Sequence, residues 1–509
     1  MRRLLTLAAL LLACLAPLMA QGQTPEVSER DAIYDNIDSY ARKVLRQWSI
    51  PGFALEVVKD GEVVLAKGYG VRDRIDKVPV DANTVFQIGS VSKSFTAALM
   101  AMMVDEGKVR WEDKVKDILP EFTLYDKEME AEAEVRDLMT HKLGLRSQVG
   151  TYFPNVGYTR DDVMKMMGLV EPVYGLREAV TYNNMAFLWA MKIIENLSGM
   201  SWEENLRIRI FEPLGMTSAS CNGEGFLASE NVAAQYDYSR GRDSARVSLI
   251  RGDGRALHWL GVVGPAGGIN CSVSDLARWA EFHRKMGIAD GARIISDRQM
   301  EYLHSGRSIT SQTPEKITLY GHCWYIEQNN RYRVYYHTGT TWGHTALCVF
   351  MPEQGLSIAI LFNAEVPNGP RFALMRRIID LYRGEPDRDY STEEFRKWIK
   401  GSGGSSAPSG LTIPYTKTVP ASSALTGRYT KEAPFGDAVV SLEKGNLYIK
   451  VGTKGWKRRL VHAEGNRYRF NSDGHNYPVQ FRIGPDGKAS EFEINWGNGE
   501  KLGPWKKAQ

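Results

Sequence analysis

The chain has 509 residues, 43% of them hydrophobic, and a formal charge of +4 from 64 basic and 60 acidic side chains. That length supports at least one large core and about two to four domains. Charges this evenly mixed, with no lysine- or arginine-rich run, give no sign of a nucleic-acid binder; a small molecule or peptide is the expected partner.

Met1-Arg2-Arg3, apolar residues 4–20 and polar Gln21-Gly22-Gln23 have the layout of a secretory leader cleaved after Ala20. The expectation is export across an inner membrane to the periplasm. A membrane anchor is the alternative, although about 17 apolar residues is the short limit for a span. Leu11-Leu12-Ala13-Cys14 offers a lipoprotein variant, weakened because the apolar run continues past Cys14. Cleavage leaves Cys221, Cys271, Cys323 and Cys348 without CxxC spacing. They form no zinc set; neither a metal nor a cofactor is expected, and buried free thiols are the default over a disulfide.

A helix is expected to end near Trp48, followed by a hairpin over residues 53–69 that turns at Lys59-Asp60-Gly61-Glu62. From Ser90 the pattern is helical, with Phe95, Leu99, Met100, Met103 and Val104 on one face and Gly107 as its cap. Residues 111–217 read mainly as helix. Strand-like runs return at 320–327, 332–337, 346–351 and 356–363, before an amphipathic helix at 372–383. Strands at both ends with helices between them predict an α+β layered domain over residues 30–385. Residues 386–422, with the Gly/Ser run from Gly401 to Gly410, read as a flexible linker between units that fold separately. Short alternating runs with turns predict a small all-β barrel or sandwich over residues 423–509.

Ser90-Val91-Ser92-Lys93 places a hydroxyl and an amine one helical turn apart on one face. A serine is a poor nucleophile until a base takes its proton, and lysine serves only with a lowered pKa. The positive end of the helix also favours a developing oxyanion. Ser441-Leu442-Glu443-Lys444 repeats the spacing, on a predicted strand and turn. Tyr182-Asn183-Asn184 and His337-Thr338-Gly339 supply further chemistry. Tyr34-Asp35-Asn36 and His304-Ser305-Gly306 imitate those two. Only the set of Ser90, Tyr182 and His337 combines the right order, wide separation and fitting local structure. His141, His322 and His344 are isolated and read as hydrogen-bonding residues, while Trp342 is as fit to line an acyl pocket as to pack.

With these motifs the chain resembles the serine β-lactamase and penicillin-recognising hydrolases, in the branch with class C β-lactamases, D,D-carboxypeptidases, D-aminopeptidases and esterases. Val135 to Leu145, Phe211-Glu212-Pro213-Leu214-Gly215-Met216 and Gly264-Pro265-Ala266-Gly267-Gly268 carry the same resemblance. It implies an α/β sandwich with an antiparallel sheet and a helical subdomain, and resembles the lipocalin-like barrels appended to some peptidases for the C-terminal unit. By resemblance, Ser90 is the acylated nucleophile, Lys93 its base and Tyr182 the proton shuttle. Asn184 would orient Lys93 and substrate, and His337, Thr338, Gly339 and Thr340 would bind substrate, with the N–H groups of Ser90 and Thr340 as oxyanion hole. His337 stands where class C enzymes have the lysine of Lys-Thr-Gly. An imidazole would offer a substrate carboxylate only a part-time charge, which favours a peptidase, amidase or esterase over a β-lactamase. A binder that acylates without turnover and an inactive scaffold are the alternatives outside catalysis. Peptidoglycan or a membrane surface is an implied partner, and the oligomeric state stays open.

Overall fold

The computed structural model describes residues 25–250, 255–401, 411–472, 475–496 and 502–508. The expected leader with Cys14 and the Gly/Ser residues 402–410 lie outside them. No helix among the described residues is long and apolar enough to cross a membrane.

After helix α1 (Pro25–Gln47), strands β1 (Gly52–Lys59) and β2 (Glu62–Gly70) form the expected hairpin. Residues 308–362 then supply β3 (Ser308–Gln312), β4 (Lys316–Tyr320), β5 (Tyr325–Asn329), β6 (Arg333–Thr341), β7 (His344–Met351) and β8 (Leu356–Phe362). They join the hairpin in one antiparallel sheet ordered β2-β1-β8-β7-β6-β5-β4-β3. The central strands are buried on both faces, and alternate residues feed two cores. Phe53, Leu55, Val349 and Ile358 meet Val44 of α1 and Trp48 just after it, whereas Ala54, Cys348, Phe350 and Ala359 face the helical side. This is the period-2 alternation of a strand sandwiched between layers. The single strand expected over 320–327 is instead two strands. Gly321 N–H bonds the Trp324 carbonyl at 2.9 Å, and Cys323 turns the chain at φ 66°. Apolar aromatic residues there imitate a strand because the turn itself is buried.

Helix α2 (Ser92–Asp105) is buried on all sides from Ser92 to Met103, as a helix at the centre of a domain must be. Its hydroxyls are satisfied internally: Trp279 donates to Ser94 at 2.9 Å, and Trp202 to Thr96 at 3.1 Å. Gly107 follows its end at φ 70°, the left-handed conformation that a cap requires. Helix α3 (Ala186–Ser198) packs against α2, and α4 (Val273–Arg284) covers the sheet.

Helix α5 (Asn368–Tyr382) begins earlier than expected, with Pro370 inside its first turn, where a missing N–H costs nothing. Helix α6 (Tyr390–Lys400) corrects the linker reading, because it lies within residues 386–422 and docks on α1. Phe395 and Trp398 sit 5.0 and 5.5 Å from the Trp48 ring, and Trp48 donates to Ser391 at 3.1 Å.

The C-terminal strands β9 to β16 close an antiparallel barrel: Gly427–Thr430, Ala438–Glu443, Asn446–Val451, Trp456–Glu464, Arg467–Ser472, His475–Ile483, Ala489–Ile494 and Trp505–Lys507. Tyr429, Phe470, Phe481, Phe492 and Trp505 are buried within it. Nor does the barrel stand apart. Phe153 meets Trp496 edge-on at 5.0 Å, Asn155 donates to the Tyr477 hydroxyl at 3.0 Å, and Tyr158 donates to the Phe435 carbonyl at 2.9 Å. Arg458 and Ser472 both donate to the Asn155 carbonyl, at 3.0 and 2.6 Å. The expectation of separately folding units thus gives way to a shared apolar core. Tether composition speaks for the tether and carries no information about what the barrel touches.

Candidate active site

Ser90 sits on a 3-10 turn, Gly89–Val91, that runs directly into α2. That turn lies against β6 at a distance only glycine allows. A Cβ on Gly339 would fall 1.8 Å from the Ile88 carbonyl oxygen, and one on Gly89 (φ 51°) would fall 2.6 Å from the Thr340 nitrogen. The last letter of His337-Thr338-Gly339 therefore sets how closely the strand approaches the nucleophile, and brings the backbone of Thr340 beside that of Ser90.

Lys93 is fully buried beneath Ser90. Its Nζ lies 3.0 Å from Ser90 Oγ, 2.7 Å from Asn184 Oδ1 and 2.8 Å from the Ala266 carbonyl oxygen. The rings of Tyr182 and Phe187 stand 4.8 and 5.3 Å away. Burial pushes the amine down from its usual 10.5 to about 7, with Cys323 opposing the fall slightly. A neutral amine has two N–H donors and one lone pair. Asn184 and Ala266 take the donors, and the lone pair then faces the Ser90 hydroxyl. Tyr182 is in hydrogen-bond contact with Ser90, and burial holds its phenol well above 10.0, so it stays protonated. Asn184 is fixed in turn, donating to Gln148 Oε1 at 3.0 Å and Thr151 Oγ1 at 3.1 Å. Ser90, Tyr182 and Asn184 open on a cavity of about 480 Å³ also lined by His337, Thr338 and Thr340. The geometry suits acyl transfer: a nucleophile, a neutral base and a phenol meet at one point.

The family model described as Beta-lactamase matches residues 37–383. The chain belongs to the beta-lactamase family. Penicillin-binding protein 4 of Amycolatopsis lactamdurans is 28% identical over 341 residues, covering 66% of this chain and 86% of that protein. The octameric penicillin-binding protein homologue from Pyrococcus abyssi has the same fold at a TM-score of 0.60 and 21% identity, over 90% of this chain and 97% of that one. The D-amino acid amidase from Ochrobactrum anthropi SV3, complexed with L-phenylalanine amide, superposes at 0.57 and 18% identity, over 69% of this chain and 99% of that one. Relatives of this beta-lactamase-family chain include proteins named as hydrolases.

Its departure from Lys-Thr-Gly has an unexpected form, because His337 does not stand ready for a substrate anion. Its Nδ1 lies 2.7 Å from the Thr338 carbonyl oxygen and its Nε2 lies 3.3 Å from the Tyr320 hydroxyl. Tyr320 lies 3.2 Å from His141 Nε2, and His141 Nδ1 accepts the Asn183 N–H at 3.2 Å. One proton arrangement satisfies the whole chain: His141 donates to Tyr320, Tyr320 to His337, and His337 to the Thr338 carbonyl. Both rings are then neutral. Burial, with Lys93 nearby, pushes His337 down to about 3 and His141 well below 6.5. The part-time cation expected at position 337 is absent because the ring is buried and both of its nitrogens are engaged.

The imitating motifs go elsewhere. Asn36 accepts from Arg377, His304 pairs with His283 at 2.8 Å, and Ser441 lies on the barrel. All four described cysteines are free. Gln148, Thr151, Tyr152, Trp259, Tyr325 and Glu365 line the cavity without having been foreseen, as does the Trp342 that was weighed between two roles. Ala266 offered a signal within the glycine-rich run 264–268; the others follow no local pattern.

Proposed function

We propose that the protein is an exported serine hydrolase that acylates Ser90 and acts on amides or peptides containing D-amino acids, or on small esters. The observation that carries this reading is the three-way contact of Lys93, which aims an unprotonated amine at Ser90 Oγ. Lys93 takes the hydroxyl proton as Ser90 attacks the carbonyl carbon, and the N–H groups of Ser90 and Thr340 receive the oxyanion. The Tyr182 phenol donates to the leaving group and is reprotonated from Lys93. Water then enters from the cavity and attacks the acyl carbon while giving a proton to the same pair, and that proton passes to Ser90 Oγ as the acyl–Oγ bond breaks and the acid leaves.

Among the described residues no arginine or lysine lines the cavity, which supports a neutral amide or ester over a carboxylate-bearing β-lactam. Fold neighbours that include an amidase crystallised with an amino-acid amide support the same class. Intact-mass spectrometry after exposure to D-phenylalanine amide, a D-alanyl dipeptide, a nitrophenyl ester and a penicillin tests it. The expected result is turnover of the amide or ester, with any adduct mapping to Ser90. Fast penicillin turnover with no amide or ester cleavage would overturn it.

A further inference from the structure

Glu365 follows β8 and reaches into the cavity that holds Ser90. One of its carboxylate oxygens accepts the Gly343 N–H at 2.9 Å, which ties it to the turn between β6 and β7. Among the described residues no ion pair reaches it, and it is the one acid of the cavity lining. The same cavity is lined by Tyr152 and by Trp342 and Trp259, whose rings meet edge-on at 4.5 Å. Aromatic faces with a carboxylate form an environment that attracts an ammonium group and repels a carboxylate. We infer that Glu365 is the anchor for a protonated amine, so that this site prefers substrates carrying an unblocked amino group on a hydrophobic arm.

This inference rests on the amide and ester reading above, whose substrates it narrows to amino-acyl amides and peptides with a free N-terminus. Burial, with Asp237 adding to the rise and the Gly343 N–H opposing it, pushes the carboxyl up to about 7. A cationic ligand would hold it ionised. Glu365→Gln keeps an oxygen for the Gly343 N–H while removing the charge.

Calorimetry on the full chain with 2-phenylethylamine, 2-phenylethanol and phenylacetate separates charge from shape. The amine is expected to bind about tenfold or more tighter than the alcohol, the usual strength of a charge-assisted hydrogen bond, with phenylacetate weakest. In Glu365→Gln the amine-to-alcohol ratio should fall to near one. Equal binding of amine and alcohol by the native protein overturns the inference whatever the variant does; so does an unchanged ratio in a folded variant, or no amine binding at millimolar concentration. Because the assay needs no turnover, a Ser90 that no acyl donor labels, together with an intact amine preference, would count against the hydrolase reading alone.

Discussion

Two serines in this molecule have a lysine three residues on, and only one of them is placed for chemistry. Ser90 lies on a turn entering a buried helix, and Lys93 Nζ returns to within 3.0 Å of it. Ser441 lies on the barrel strand Ala438–Glu443, where side chains alternate between faces. Its hydroxyl contacts Glu443 at 3.2 Å, and Lys444 turns away at φ 48° with its side chain in solvent. The same four-letter spacing thus means different things at a period of 3.6 and a period of 2. Burial adds the second condition, since desolvation is what lowers the Lys93 amine far enough to be neutral near pH 7.

The sharpest way to break the comparison is to delete each hydroxyl. Ser90→Ala is expected to abolish hydrolysis and covalent labelling, and Ser441→Ala to change neither. Peptide mapping of a labelled serine decides between them.

Removing the amines comes next. Lys93→Met should cost about 10² to 10⁴ in kcat/KM, the scale of a lost general base. It should also stabilise the fold. An amine held at about 7 instead of 10.5 is a native group that binds fewer protons than its unfolded form. Its penalty, on the order of 5 kcal/mol, is complete below pH 7 and gone above pH 10.5. Urea denaturation at pH 7 should therefore show a gain of a few kcal/mol for Lys93→Met and none for Lys444→Met. A loss of stability at position 93 would mean that burial does not strain the amine.

A smaller effect is set by pH. For a neutral amide, kcat/KM should fall about tenfold per unit below pH 7, as Lys93 becomes protonated, and stay level above it. His337, held at about 3, adds no step between pH 5 and 9, and Tyr182 keeps its proton throughout. A profile with no step near 7 would remove the electrostatic half of the contrast between the two lysines.

The smallest effect asks how far the barrel assists the site without supplying a nucleophile. Tyr477→Phe deletes the hydroxyl that Asn155 reaches, and should cost about 1 kcal/mol of stability. Turnover should change by less than tenfold, measured on the same amide.

How legible all this was in the sequence follows from range. Ser90 and Lys93 could be read because three residues along a helix fix their relation, and Gly61 and Gly107 because turns and caps are local. The neutral state of His337 could not, since its partners Tyr320 and His141 arrive from another strand and from a segment almost two hundred residues upstream. Helix α6 was hidden by the glycines that follow it, and Glu365 by the absence of any neighbour that shares its role. The packing of the barrel on 153–158 left no trace in a chain read one stretch at a time.

That packing has a consequence for how such a chain can be rearranged. Thr151 and Tyr152 line the cavity, and the very next residues, from Phe153 to Tyr158, are held by Trp496, Tyr477, Arg458, Ser472 and Phe435 of the barrel. The interchangeable part is therefore not the barrel between its sequence boundaries. A swap would have to move residues 153–158 with it, so a chimera joined at the glycine-rich tether alone would inherit a mismatched cavity wall.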